Sequence, residues 1–289
     1  MLFQIVYENI VLQETAIGIA DALFIRGVDS TVTKIERNYN FGNDDHDDGA
    51  TKKTTTTKKN NKTIFIILGV QRYHQLPKLF IAVQTEQDGS KYMTDSYLLK
   101  LRKAALVWDF SPKHVTKLKR HGLQNVLYFR MRIPLEIFVR ETKAFHRHFQ
   151  SGVHQDIDVL FYGAKNGRRC AIQKLLQKNK ITNVFRYYDL FYDEREKLIS
   201  RAKIVLNIHY FEDASLETHR VEYLCARGKC ILSERSADPG LDREYSDSIL
   251  FCDIDNIVHE IQNLLADPIK KRSMEINAQR TSFVRQFSS

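Results

Sequence analysis

KIVLNIHYFEDASLETHRVEYLCARGKCILSE, residues 203–234, reads as strand, loop, helix and strand. The apolar run KIVLNI (203–208) suits a strand buried on both faces, and KCILSE (229–234) suits another. Between them, LETHRVEYLCARG (216–228) spaces its apolar residues as a helix does, with Gly228 placed to end it. Two strands joined through a helix run parallel, since a tight turn joins only antiparallel neighbours. The intervening loop and first turn, IHYFEDASLETHRVE (208–222), concentrate Glu212, Asp213, Glu217 and Glu222 with His209, His219 and Arg220. Asp213 or Ser215 stands where a helix cap belongs.

The same alternation extends in both directions. Upstream, DIDVLFYGA, RRCAIQKLLQKN, TNVFRYYD and DEREKLISRA alternate strand and helix, and downstream SILFCD leads into DIDNIVHEIQNLLADP. The first half repeats the scheme with LFQIVYE, ETAIGIADALFIRG, STVTKI, TIFIILG, LFIAVQTEQ, DSYLLKLRKA, ALVWDFS, PKHVTKLKRHG and NVLYFRM. A polar stretch, RETKAFHRHFQSGVHQ (140–155), is expected to bridge the halves. The expected fold is therefore α/β, with two Rossmann-like, doubly wound parallel-sheet domains facing a cleft, over 1–149 and 150–289. NYNFGNDDHDDGATKKTTTTKKNNK (38–62) has no core-forming pattern and is expected to be a disordered surface insertion, with its aspartates and His46 solvated.

Composition narrows the class. The chain has 289 residues, 43% hydrophobic and 27% charged, an ordinary globular balance. No apolar run approaches the ~20 residues of a membrane helix, and the N-terminus lacks the basic leader of a signal peptide. Cys170, Cys225, Cys230 and Cys252 lack metal-ligand spacing and read as reduced thiols, so a cytoplasmic setting is expected. The formal charge of +9 suits either a polyanion or an anionic small substrate; its basic residues are dispersed over helix faces, which ranks nucleic acid last.

Two junctions carry the chemistry. After DVLFYG, Gly163 and Gly167 relax the backbone while Lys165, Arg168 and Arg169 gather where the next helix begins. Cations there oppose the helix dipole, a conflict that a bound anion resolves. In the second junction the carboxylates either compensate the helix dipole or accept hydrogen bonds from sugar hydroxyls. Both junctions open on the carboxyl edge of one sheet, where ligands of such folds bind.

At this point residues 156–280 resemble the nucleotide-sugar domain of GT-B glycosyltransferases, in the large retaining, paired-glutamate family (glycosyl transferases group 1). DVLFYGAKNGRR is similar to that family's first strand and basic phosphate loop. REKLISRAKIVLNIHYFEDASLETHRVEYLCARGKCILSE is similar to its glutamate segment, and ILFCDIDNIVHEIQNLLADPIKKRSMEINAQR to its closing strand and two helices. The resemblance implies transfer of a hexosyl unit from a nucleotide-diphosphate sugar, with retention, no cofactor and no metal. It assigns Glu212 to the first glutamate, beside the sugar and phosphate, with Arg168 and Lys165 stabilising the departing diphosphate. Gly163, Asn166, Arg169, His209, Ser215, Leu216, Glu217, Arg220 and Glu222 would complete the donor site, Glu222 holding the ribose. The family separates its glutamates by seven residues, whereas nine lie between Glu212 and Glu222, and counting back from Gly228 lands on Tyr223; Glu217 or Arg220 therefore shares candidacy for the ribose. The family's glycine-rich loop after the first strand is replaced by ENIVLQE. Gln84, Glu86, Gln87, Asp109 and Ser111 are expected at the cleft, and Trp108 and Phe110 in packing. The acceptor would be a glycan, lipid or protein, with peripheral membrane contact compatible. A catalytically degenerate binding protein is the alternative, and a basic nucleic-acid-binding protein the third reading.

Overall fold

The computed structural model describes residues 2–41, 63–151, 154–188, 190 and 192–287. Nearly all of the expected 38–62 insertion lies outside the described residues. The chain divides into two compact units, the first over 1–86, 90–110 and 114–134, the second over 135–289 together with the short segments 87–89 and 111–113.

The first unit holds strands β1 (Leu2–Tyr7), β2 (Ser30–Lys34), β3 (Thr63–Leu68), β4 (Phe80–Gln84), β5 (Leu106–Asp109) and β6 (Val126–Tyr128), with helices α1 (Gln13–Phe24), α2 (Asp95–Lys103) and α3 (Pro112–Arg120), whose first two residues cluster with the second unit. Its sheet runs β2-β1-β3-β4-β5-β6, every pair parallel. Ile66, Ile67 and Leu68 are fully buried in succession, because a parallel sheet covered on both faces has no polar side. Gly18 on α1 is a packing requirement. A Cβ there would stand 2.3 Å from the Arg132 carbonyl oxygen.

The second unit begins with α4 (Leu135–Ser151), so the segment expected as a polar bridge starts as helix. Phe138 and Phe145 are buried two turns apart on it, and between them Glu141 is buried because Arg140 and Arg227 hold its carboxylate. The strands are β7 (Ile157–Gly163), β8 (Asn183–Tyr187), β9 (Ala202–Asn207), β10 (Ile231–Glu234) and β11 (Ile249–Cys252), joined through α5 (Gly167–Lys178), α6 (Tyr192–Arg201), α7 (Thr218–Ala226) and α8 (Pro239–Tyr245). Helices α9 (Ile257–Ala266) and α10 (Pro268–Phe287) close the chain.

This sheet is also all parallel, ordered β11-β10-β9-β7-β8. Counted within the unit, the order is 2-1-3-4-5, and its topological switch point falls between the neighbouring strands β7 and β9. There the chain leaves the sheet in opposite directions and opens a crevice at the carboxyl ends. The core beneath holds Val159, Phe161, Ile204, Leu206 and Ile208, each fully buried and each contributing about 1.5–3 kcal/mol by apolar burial. Gly228 ends α7 at φ +61°, and a Cβ there would stand 2.2 Å from Phe145 Cδ2. Tight helix packing and left-handed backbone both require glycine at that position.

Candidate functional site

The two charged junctions are the chain segments that follow β7 and β9, and they interlock across the switch point. Asn166 caps α5 by accepting from the Arg169 backbone N–H at 2.9 Å, and its Nδ2 donates to the Tyr210 carbonyl at 2.8 Å. Arg169 is buried and structural. Its Nε and Nη2 donate to the Ile208 carbonyl at 3.1 and 2.6 Å, its Nη1 to the Ala164 carbonyl at 2.7 Å, and it lies over the Phe161 and Tyr210 rings. Burial pushes its pKa down to about 10, so it stays charged at neutral pH. Gly163 adopts φ +149°, and a Cβ there would stand 3.0 Å from Arg220 Nη2.

Arg168, one residue earlier, keeps a solvent-facing side. Its guanidinium is held in a two-pronged pair by Glu234, Nη1 donating to Oε2 at 2.6 Å and Nη2 to Oε1. The Glu234 hydrogen bond raises the arginine's pKa above its ordinary value. Lys165 is exposed, its ammonium 5.7 Å from the Tyr187 ring centre.

On the β9 side, His209 is fully buried. Its Nδ1 lies 2.8 Å from Glu217 Oε2 and its Nε2 3.2 Å from the Glu234 carbonyl oxygen. Its backbone N–H donates to Glu234 Oε2 at 3.2 Å. Burial by itself lowers the imidazole pKa, but Glu217, then Glu234 and Asp242, outweigh it and the net shift is upward. Glu217 is opposed by burial as well, yet His209, Arg220 and Asn207 hold its carboxyl far below the usual range. Asn207 links the group, donating to Glu217 Oε2 at 2.9 Å and accepting from Arg220 Nη1 at 2.9 Å. Arg220 also lies over the Tyr162 ring, 5.4 Å from its centre.

Lys165, Asn166, Arg168, Arg169, His209, Glu217 and Arg220 therefore converge, with Gly163 beneath them. Glu212 is exposed beyond β9, where its charge acts on Arg168. Leu216 is a fully buried core residue. Ser215 is buried too, its Oγ 2.9 Å from Ser111 Oγ and its backbone N–H donating to Gln87 Oε1 at 2.9 Å.

Two expectations are corrected. Neither Asp213 nor Ser215 caps α7; the helix begins at Thr218, and Glu217 at the cap position spends its carboxylate on Asn207 and His209. Glu222 does not join the edge. Its carboxylate accepts from the Tyr245 hydroxyl at 2.6 Å and pairs with Arg285 Nε at 3.0 Å, facing α8 and α10. The residue that sequence reasoning passed over is Glu234. It is a buried carboxylate at the carboxyl end of KCILSE, and a charged residue closing an apolar strand was the available signal.

In the first unit, Gln84 and Asp109 are fully buried and bonded to each other at 3.0 Å. His114 Nδ1 lies 3.3 Å from Asp109 Oδ1. Glu86 is half-buried and accepts from Ser90 Oγ at 2.6 Å. Trp108 stacks on Phe129 at 4.6 Å, and Phe110 is buried. Among the described residues no group of His, Cys, Asp or Glu has the arrangement to hold a metal ion, and no helix is long and apolar enough to cross a membrane. The four cysteines are free thiols, three of them buried.

Two parallel-sheet α/β units of this kind define the GT-B architecture. Solved structures that match it include sucrose-phosphate synthase from Thermosynechococcus elongatus (TM-score 0.60, 13% identity, 98% of this chain and 94% of that one). HepE from Anabaena, solved with UDP and glucose, matches with TM-score 0.59 and 10% identity over 99% and 95%. WaaG, a glycosyltransferase involved in lipopolysaccharide biosynthesis, matches with TM-score 0.57 and 10% identity over 98% and 95%. The glycosyl transferase-like family model matches residues 140–288, and the chain belongs to that family, within the group 1 GT-B glycosyltransferases. A curated relative, uncharacterized protein L140 of Acanthamoeba polyphaga mimivirus, is 25% identical over 161 residues, 54% of this chain; the chain spans about half (52%) of that relative's length.

Proposed function

We propose that this chain transfers a hexosyl unit from a nucleoside-diphosphate sugar to a hydroxyl-bearing acceptor, with retention of configuration and without a metal. The observation that carries the reading is the interlock at the switch point, where the hydrogen bonds from Asn166, Arg168 and Arg169 to the carbonyls of residues 208–210 join two separate charged junctions into one edge. The diphosphate would lie against the amino end of α5, with Arg168 and Lys165 facing it. Their fixed positive charge stabilises the negative charge that develops on the leaving group, the role a metal fills elsewhere. Glu212, exposed at the same edge, would hold the donor sugar, and Glu217 or Arg220, which join that edge, would hold the ribose in preference to Glu222, which is paired with Tyr245 and Arg285. HepE's complexes with UDP, glucose and UDP-glucose put uridine first among the bases to try.

The test is thermal stabilisation by UDP, GDP, ADP and TDP and their sugars at fixed salt. A ligand at a hundredfold excess over Kd adds about 2.7 kcal/mol to the folded state. A shift with one base family supports the reading; flat curves from folded protein overturn it. With a donor in hand, product anomer analysis tests retention, and turnover in excess EDTA tests metal independence.

The capture of Glu222 by Arg285 favours a second reading, in which the fold binds a donor without turning it over. Donor binding with neither transfer nor hydrolysis across an acceptor panel selects it.

A further inference from the structure

Glu234 and His209 lie against the charged edge, and the proposed function gives neither a defined task there. Both ring nitrogens of His209 face acceptors. A carbonyl oxygen only accepts, so Nε2, 3.2 Å from the Glu234 carbonyl, carries a proton. Nδ1, 2.8 Å from Glu217 Oε2, meets an oxygen that already accepts from Asn207 in a carboxylate that also feels the charge of Arg220, an environment that keeps Glu217 ionised. Nδ1 then carries a proton as well, and the buried ring is an imidazolium. Its surroundings agree. Glu217 faces it from the start of α7, Glu234 from the end of β10 and Asp242 from α8, while the guanidinium groups of Arg168 and Arg169 approach its carbonyl and that of Ile208 from α5.

The consequence runs through Glu234. Its carboxylate takes both prongs of Arg168 and the His209 backbone N–H, and its carbonyl takes the His209 ring. Neutralising the ring removes one donor. Either Glu217 loses its buried partner or the Glu234 main chain does, and the carboxylate that orients Arg168 is no longer fixed on both sides.

We propose that His209 is a positioning residue of the donor site: its imidazolium, clamped between the Glu217 carboxylate and the Glu234 carbonyl, holds Glu234 and through it Arg168 in place for the diphosphate, so that diphosphate binding weakens as His209 loses its proton. The proposal rests on the donor-site reading above. The sign follows from the geometry. The clamp is complete below the ring's folded pKa and fails as pH rises through it, and that pKa lies above the ordinary ~6.5.

Two measurements test it. Nitrogen-15 chemical shifts of the wild-type imidazoles, assigned by comparison with His209→Gln, should show both His209 nitrogens protonated at about pH 6.5, the ordinary midpoint of a free imidazole. A neutral ring there overturns the proposal without reference to any ligand. Inorganic pyrophosphate binding is then compared between wild type and His209→Gln across the pH range, the ratio of affinities cancelling the probe's own titration. Wild type should bind about tenfold more tightly near pH ~6.5, a 1.4 kcal/mol difference, with the ratio falling toward one as pH rises through the ring's own titration in the nitrogen-15 spectra. If wild type binds pyrophosphate and the ratio is flat, the donor reading stands and the positioning role fails. If folded wild type does not bind it at any pH, the donor reading itself fails. Should His209→Gln not fold, Glu217→Gln decides. The His209 titration and the loss of pyrophosphate binding should move together to lower pH, and an unmoved binding curve overturns the proposal.

Discussion

Replacing Glu222 by alanine separates the two roles open to that residue, and the structure gives the size of the effect. The Glu222 and Arg285 side chains are 6% and 7% exposed, and their charged atoms lie 3.0 Å apart. Arg285 also lies over the Tyr245 ring, 4.2 Å from its centre, while the Tyr245 hydroxyl donates to Glu222 at 2.6 Å. Glu222→Ala would strand a buried guanidinium, which costs about 3–5 kcal/mol when one partner of a buried pair is removed. The lost Tyr245 acceptor belongs to the same network and does not add independently. At roughly 2–4 °C per kcal/mol for a protein of this size, the melting temperature should fall by about 6–20 °C. Glu222→Gln, which keeps an oxygen for Tyr245, should fall by less. The assay is calorimetric unfolding, paired with nucleotide binding measured well below the lowered transition. Stability lost with affinity retained supports the structural role. A transition within about 2 °C of wild type, together with lost nucleotide affinity, refutes it and returns Glu222 to the ribose.

The remaining tests use the same readouts. Gly228→Ala should destabilise by about 1–3 kcal/mol from backbone strain alone, and by more if Phe145 cannot give way; an unchanged melting temperature contradicts the 2.2 Å contact. Lys229 is buried with its ammonium 2.7 Å from the Ala202 carbonyl oxygen, and burial pushes its pKa down to about 8. Its unfolded form holds the proton up to ~10.4, so wild type should gain on the order of 2 kcal/mol relative to Lys229→Met as pH rises from 8 to 10. Parallel pH profiles for the two proteins disprove that. Glu212→Ala, at an exposed position, should leave the melting temperature unchanged while abolishing transfer. Arg168→Gln should remove nucleotide-dependent stabilisation, and near-normal turnover in either variant sinks the assignment.

The alternation of strand and helix was legible because strands buried on both faces leave continuous apolar runs, as in IIL at 66–68 and IVL at 204–206. Helix α4 was not. RETKAFHRH looks polar in line, and its buried face includes Glu141, whose charge is met by Arg227 from far along the chain. The two charged junctions were readable, since each places its residues just past a strand end. Which carboxylate does what was not readable. Glu222 follows the family pattern to within a residue or two, yet Arg285, on the last helix, fixes it elsewhere. The cap of α7 was misplaced for a similar reason. Local spacing favoured Asp213 or Ser215, while His209 and Asn207 hold Glu217 at the cap position.

On the donor-site proposal, this edge has a physical difficulty that these carboxylates resolve. Lys165, Arg168 and Arg169 gather at the amino end of α5, with Arg220 and His209 close by, where the helix dipole already repels cations. Left to themselves, flexible basic side chains would spread into solvent and have to be gathered again when an anion arrived, at a cost in side-chain freedom. Glu234 and Glu217 remove that cost by holding Arg168 and His209 in fixed positions before binding. Each pair is internally neutral, yet Arg168 keeps about a fifth of its side chain exposed (21%), with N–H groups beyond the two given to Glu234. An incoming diphosphate would therefore meet donors already oriented and would not have to displace the carboxylates behind them. The same reasoning explains why a buried acid such as Glu234 belongs at the end of β10. Removing its charge would free Arg168 without bringing it closer to a ligand, and binding should weaken even though the site becomes more positive.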